Sequence, residues 1–542
     1  MSTVITNGQP RFRVLVTDEV DPEGVQLLRT APGIEVDERP TMPATDLLEI
    51  IGEYDGFVGR SATRISEKLL ERATRLQVVG RAGVGVDNIA LERATELGIA
   101  VINAPGGNTI SVAELFFGVL LSLARHIHTA AASMCAGRWD RSQLGGVELK
   151  GRTLAIVGLG RIGGEVARRA RSFGMRVVAY DPFVSEARFE ELGVERARRL
   201  ADLLDAADVL TLHVPLTEET AGMIGAAELA RLGPRTLVVN LARGGIIDEA
   251  ALIEALRERR IAGAALDVYA KEPLGADDAL RSAPNVLLTP HLGASTAEAQ
   301  QSVAVEACEA VRDALLTGDL SAALNAAGVG ATGDWGGLRP LLDLADRLGR
   351  LGRAMLPTPI SAVELRYTGD RADAARALLP AALQGALRDI VDRRAINLVN
   401  AQHVAAARGI ETAWTHVAAR DEPGEEIELR FEGGADRAVR VGGTLLGGVH
   451  ARITRIGAFR VDVTPKGTLL VLRNRDVPGV IGRVGTLLGE AGVNNAEYHQ
   501  ARLQAGGEAL AAVSIDTPIS GEMLERLRAL PEVHDANQTG ME

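Results

Sequence analysis

Short runs of uniformly apolar residues alternate with stretches of helical period over the first three hundred positions. Arg13–Thr17, Gly56–Gly59, Leu76–Gly80 and Ala100–Asn103 form one series. Thr153–Val157, Arg176–Tyr180, Val209–His213, Thr236–Asn240 and Val286–Thr289 form a second. Strands that are apolar on both faces belong in parallel sheets covered by helices on each side. Two such series predict two doubly wound α/β domains. Between them, Ser111 to about Met134 reads as one long helix opening on a Ser111/Glu114 capping box. It would carry the chain from the first domain to the second, and a helix over Thr296–Thr317 would bring it back. A glycine-rich run at Gly328–Gly337 marks a boundary. Beyond it, helices are expected over Arg339–Pro357 and Ala372–Ile390, and strands over Ile427–Phe431 and Gly457–Val463. From Thr468 the order of elements is βαββαβ, the ferredoxin-like split unit.

Length agrees with this division, since 542 residues correspond to three or four domains. The composition, 46% hydrophobic and 24% charged, is that of an ordinary globular chain. A net charge of −12 and only 3% aromatic residues disfavour a nucleic-acid partner. Of 59 basic residues only Lys68, Lys150, Lys271 and Lys466 are lysines, so an arginine in a suggestive place is weak evidence by itself. Cys135 and Cys308 cannot form a disulfide framework and lie in no metal-binding spacing. With no signal peptide and no apolar stretch of bilayer length, the expectation is a cytoplasmic protein without a membrane partner or a metal.

The most specific local signal is Gly158-Leu-Gly160-Arg161-Ile162-Gly163, which follows one apolar strand and opens a helix. The next strand ends in Asp181, eighteen residues after Gly163. In that context the glycines allow a tight turn, close approach of a pyrophosphate, and packing of helix on strand. The helix N-terminus offers free N–H groups to the phosphates. Asp181 would accept the ribose hydroxyls and repel a 2′-phosphate, favouring NAD over NADP.

Three polar residues stand in loops after strands: Arg243 in Asn240-Leu-Ala-Arg-Gly-Gly245, Glu272 in Lys271-Glu-Pro273, and His291 in Thr289-Pro-His-Leu-Gly293. Ligands of open α/β sheets bind at the carboxyl ends of strands, where such residues can converge. A histidine exchanges a proton near neutral pH, a carboxylate fixes its tautomer, and an arginine forks onto a substrate carboxylate. Taken singly, each also reads as a cap, a loop charge or one arginine among many.

The set GLGRIG, Asp181-Pro182, LARGG, DVYAKEP and TPHLGAST resembles the D-isomer-specific 2-hydroxyacid dehydrogenase family over about residues 10–325. The resemblance implies that Arg243, Glu272 and His291 are catalytic and that the nucleotide domain is inserted into the substrate domain. It implies nucleotide contacts from Arg161, Ile162, Asp181, Leu241, Ala242 and Asp267. His213 and Pro215, in a cofactor-lining segment, and Gly293 complete the expected cofactor set.

After two strands of the first domain come Gly59-Arg60-Ser-Ala-Thr-Arg64 and Gly80-Arg81-Ala-Gly83-Val84-Gly85-Val-Asp-Asn88. Paired arginines with free N–H groups at Gly83–Gly85 suit a phosphorylated substrate; surface solvation is the alternative. These loops and NAPGGNTISVAEL resemble the branch of the family that oxidises 3-phosphoglycerate in phosphorylated serine synthesis. That resemblance implies substrate contacts from Arg60, Arg81, Gly83, Val84 and Asn108. Asn397-Leu-Val-Asn-Ala-Gln and Gly443-Thr-Leu-Leu-Gly-Gly448 resemble an intervening domain of the branch's long form. Asn474-Arg-Asp-Val-Pro-Gly-Val-Ile-Gly482 with Ala491-Gly-Val-Asn494 resembles an ACT regulatory domain, implying Asp476 and Asn494 as effector contacts and L-serine as a possible effector. Asn495 departs from the ACT pattern, which has a hydrophobic residue there.

The expected units are a substrate domain (1–108 and 292–329), a nucleotide domain (109–291), an intervening domain (330–467) and a regulatory domain (468–542), in a homodimer or homotetramer. A glyoxylate or hydroxypyruvate reductase, and a non-enzymatic NAD-sensing corepressor or scaffold, are the alternative readings.

Overall fold

The computed structural model describes residues 11–326, 328–329, 334–388, 390–391, 396–419, 424–434 and 437–541. Its first sheet is five-stranded and parallel, ordered Ile34–Glu38, Phe12–Val16, Gly56–Gly59, Val78–Arg81, Ala100–Asn103. Ile34–Glu38 escapes the apolar-run reading because it is an edge strand with exposed polar positions. The second sheet is seven-stranded and parallel. It runs Val286–Leu288, Gly263–Leu266, Leu237–Asn240, Val209–Leu212, Thr153–Val157, Arg176–Tyr180, Glu195–Arg196. Strand order reverses between Thr153–Val157 and Val209–Leu212, which opens a crevice at their carboxyl ends.

The crossovers differ from expectation at one point. The first is two helices, Thr109–Ala124 and Ile127–Cys135, bent by 66° at a break where His126 takes φ +54°. The Ser111/Glu114 capping box does not form, because the helix starts earlier, after Asn108. Ser111 instead donates its hydroxyl to the Gly293 carbonyl at 2.8 Å, tying this helix to the loop that follows Val286–Leu288. The return helix, Ala297–Thr317, is capped by the Thr296 hydroxyl and ends at Gly318 in the left-handed region. Its apolar face, Val303, Ala304, Ala307, Cys308 and Val311, is buried with Val14, Val16, Val58 and Val78 of the first sheet.

The third sheet is six-stranded and far richer than the two strands expected. Glu411–Val417 lies parallel to Ile360–Thr368, followed antiparallel by Glu426–Gly433, Arg437–Leu446, His450–Ile456 and Phe459–Val463. Helices Trp335–Met355 and Ala374–Leu387 pack with it. The last sheet is antiparallel, ordered Asn495–Arg502, Glu508–Ile515, Thr468–Arg475, Val533–Gly540. Leu470, Leu472, Ala511 and Val513 pack with helices Val480–Glu490 and Gly521–Arg528. Leu469, Val471, Leu510 and Ala512 join the apolar cluster of the third sheet. Among the described residues no single helix is long and apolar enough to cross a membrane.

Candidate active site

Strand Thr153–Val157 ends at Gly158, whose φ of +92° and packing both require glycine: a Cβ there would fall 2.5 Å from the His213 carbonyl oxygen. At Gly163 a Cβ would overlap the Gly158 carbonyl, so helix Arg161–Ser172 can lie directly on the turn. Gly160 faces open space, and no side chain caps the helix it begins. That leaves unfilled room and unsatisfied N–H groups where a pyrophosphate would sit. Asp181 accepts from Leu159 N and Phe183 N, both at 2.9 Å, which holds its carboxylate at the tip of strand Arg176–Tyr180. These residues fit a dinucleotide.

His213 follows strand Val209–Leu212. Its Nε2 bonds Thr211 Oγ1 at 3.0 Å, while the buried Nδ1 has no partner among the described residues. Burial pushes its pKa down to about 4, so the ring lining this crevice is neutral at pH 7. Pro215 follows; its carbonyl accepts from Thr220 Oγ1. Asp267 is fully buried, and burial raises its pKa despite its hydrogen bonds. It accepts from Thr289 Oγ1 (2.6 Å), Leu292 N (2.7 Å) and Gly293 N (2.9 Å), so the whole carboxylate is used to hold the loop bearing His291.

His291 itself sits at φ +54°, a sparsely populated conformation for a residue with a side chain. Its Nδ1 is 2.7 Å from Glu272 Oε2, while Glu272 Oε1 accepts from Tyr269 N at 3.0 Å. A carboxylate can only accept, so Nδ1 carries the proton and Nε2 is left as the base. The Arg243 loop is built against the same turn. Gly244 presses on the Tyr269 carbonyl closely enough to exclude any side chain, and Asn240 bonds Arg243 O and Ala242 N. Leu241 is buried in the nucleotide-domain core, with Ala242 half-buried beside it. Residues separated by up to fifty positions thus form one wall.

The opposing wall comes from the first sheet. Arg81 ends strand Val78–Arg81 and folds its guanidinium over Gly83. Burial, with Arg243 and Arg60 nearby, lowers its pKa to about 10, still charged at neutral pH. Its Nε is buried without a hydrogen-bond partner among the described residues. Gly83 O accepts from Ala104 N and Val84 O from Asn103 Nδ2 (2.5 Å), fixing the loop. Arg243 reaches across to this loop, lying against Gly85 and pairing with Asp87 (Nε to Oδ2, 3.2 Å). Asn108 precedes helix Thr109–Ala124, with its Oδ1 buried and without a partner among the described residues.

Four residues to which the sequence assigns no role belong to this arrangement. Asp18, at φ +65°, accepts from Arg60 N, Thr63 N and the hydroxyls of Thr63 and Thr41, shaping the Arg60 loop. Asp87, Asn240 and Tyr269 are the others. Asp18 follows the strand Phe12–Val16, so the rule that strand ends carry the site would have found it.

The two proposed effector residues lie in the last sheet's unit with their side chains engaged. Asp476 accepts from Gly506 N and Arg502 Nη1, contacts that hold its pKa below the usual range. Asn494 donates to Asp516 Oδ2 at 3.0 Å. No cluster of three or more His, Cys, Asp or Glu side chains able to hold a metal occurs among the described residues.

Comparison with known proteins is consistent with this geometry. Residues 117–293 match the NAD-binding domain of the D-isomer specific 2-hydroxyacid dehydrogenases, and residues 337–457 match the D-3-phosphoglycerate dehydrogenase intervening domain. The chain is 40% identical over 527 residues to a D-3-phosphoglycerate dehydrogenase of Synechocystis, covering 97% of this chain and 94% of that one. It is 39% identical to one of Bacillus subtilis, covering 96% and 98%. A crystal structure of a glyoxylate reductase from Paecilomyes thermophila superposes with a TM-score of 0.54 at 28% identity, over 58% of this chain and 99% of that one.

Proposed function

The chain belongs to the D-3-phosphoglycerate dehydrogenases of the D-isomer-specific 2-hydroxyacid dehydrogenase family, and from that premise we propose which of its residues do the work. It is an NAD-dependent enzyme that oxidises 3-phosphoglycerate to 3-phosphohydroxypyruvate in serine biosynthesis.

Arg243 binds the substrate carboxylate and polarises the C2 oxygen. His291 Nε2 takes the hydroxyl proton as C2 is oxidised, and Glu272 stabilises the imidazolium that forms. Gly158–Gly163 and Asp181 would hold NAD, which would supply the hydride acceptor. Arg60 and Arg81, with the N–H group of Val84, bind the phosphate, and Asn108 orients the substrate from the start of helix Thr109–Ala124. The Gly83 N–H, expected from the sequence to be free, is instead donated to the Arg81 carbonyl at 2.8 Å. The observation that carries this reading is the position of Arg243: its backbone is built into the wall bearing the His291–Glu272 pair, and its guanidinium reaches the Arg81 loop, against Gly85 and paired with Asp87. NADH formation followed at 340 nm with 3-phosphoglycerate and NAD, with the product removed by a coupled reaction, tests it. Turnover of glyoxylate or hydroxypyruvate in preference would favour the reductase reading.

The domain division given above belongs to the same proposal, as do a cytoplasmic location, a homodimer or homotetramer, and feedback by L-serine at an ACT domain bearing Asp476 and Asn494. Cutting the chain near Gly467 is a poor test of that feedback, because Leu469, Val471, Leu510 and Met541 are buried in the core of the intervening sheet. Serine titration of the full chain against Asn494→Ala is cleaner: inhibition in the wild type and loss of it in the variant is expected, and equal responses reject the assignment.

A further inference from the structure

The charges acting on Arg81 come from two further arginines, Arg60 and Arg243, and from two carboxylates, Asp18 and Asp87. The carboxylates are not equivalent. Asp18 is buried and committed to four donors of its own domain: Arg60 N, Thr63 N and the two threonine hydroxyls. Asp87 is 68% exposed and pairs with Arg243. Neither the Arg60 nor the Arg81 guanidinium has a carboxylate partner among the described residues. Asp87 is therefore the acidic group in the cleft whose position can be given up cheaply, since an ion pair this exposed is worth little.

We propose that Asp87 is a stand-in anion: it holds the Arg243 guanidinium in its binding pose and yields that position to the carboxylate of the incoming substrate. Gly85 makes the exchange possible, because any side chain there would overlap the guanidinium. Asp87 and the substrate carboxylate then compete for one arginine face. Keeping Asp87 costs ground-state affinity, and in return Arg243 stays extended over the cleft and the anionic product leaves readily. This inference rests on Arg243 being the carboxylate-binding residue proposed above, and it makes Asp87 a positioning residue, not a catalytic one.

The test measures oxalate, a carboxylate dianion without a phosphoryl group, as a competitive inhibitor and by calorimetry, on the full chain with NADH bound. Asp87→Asn should bind oxalate about three- to fivefold tighter than wild type and lower the KM for 3-phosphoglycerate by a similar factor. Asp87→Glu should stay near wild type. In an Arg243→Ala background, Asp87→Asn should leave oxalate affinity unchanged, because the competition has lost its object. Unchanged or weaker binding in Asp87→Asn overturns the proposal, as does equal tightening in the Arg243→Ala background, which would mark a general charge effect. If wild-type enzyme bound oxalate but failed to oxidise 3-phosphoglycerate, the functional reading would fall while the oxalate cycle still decided the role of Asp87.

Discussion

The two walls of the cleft are made of different materials. On the nucleotide side two carboxylates are held in place by backbone N–H groups: Asp181 by Leu159 and Phe183, Asp267 by Leu292 and Gly293. His213, on the same wall, is neutral. On the substrate side Arg60 and Arg81 have no carboxylate partner among the described residues, and Arg243 reaches toward them from the nucleotide side, paired with Asp87. A large dinucleotide can be held by shape, glycine turns and a helix terminus, whereas a small, highly charged acid offers little else to hold than its charge. His291 and Glu272 stand on the neutral wall, and the charged wall delivers the substrate to them.

The largest effect expected is on the proton transfer. His291→Ala should lower kcat by roughly 10²- to 10⁴-fold with NADH affinity, read by fluorescence, nearly unchanged; surviving turnover would remove His291 from the chemistry. Next is the backbone of the neutral wall. Gly158→Ala places a methyl group against the His213 carbonyl at a positive φ. It should weaken NADH binding by more than about tenfold and cost about 1–3 kcal/mol in stability, without altering substrate discrimination once NAD saturates. Salt separates the walls by a smaller factor. Raising ionic strength from about 0.05 to 0.5 M shortens the screening length severalfold, so the KM for 3-phosphoglycerate should rise severalfold while the dissociation constant of NADH rises less. Equal responses would erase the distinction.

The smallest effect concerns His213 and pH. Its folded pKa, about 4, lies below the ordinary value of 6.5. Between those values the unfolded chain binds a proton that the folded one refuses, so stability is full above pH 6.5 and is lost as pH falls toward 4. The loss from this residue is at most about 3 kcal/mol. Chemical denaturation of His213→Asn should show a flatter pH dependence through that window.

Much of the neutral wall was legible in the sequence because its devices are local. Gly158, Gly160 and Gly163 stand next to the strand and helix they join, and Asp181 ends the following strand. The charged wall was only half legible. Arg60 and Arg81 stood out as strand-end residues; Asp18 also follows a strand, but its role in shaping the Arg60 loop is played across 42 positions, and Asp87 meets Arg243 over a far longer span. The first crossover misled for a similar reason: Ser111 has the spacing of a cap, yet its hydroxyl serves a loop 182 residues away. The third sheet was least visible, since Arg437–Leu446 and His450–Ile456 mix arginines and glycines with apolar residues instead of forming continuous apolar runs.

The division of labour between the walls is tested most directly by one ratio: kcat/KM for 3-phosphoglycerate over that for D-glycerate, in wild type and in Arg60→Ala. The account predicts a strong preference for the phosphorylated acid, reduced about 10- to 100-fold in the variant with the D-glycerate rate unchanged. A ratio unaffected by the loss of Arg60, or a fall in both rates together, would contradict it.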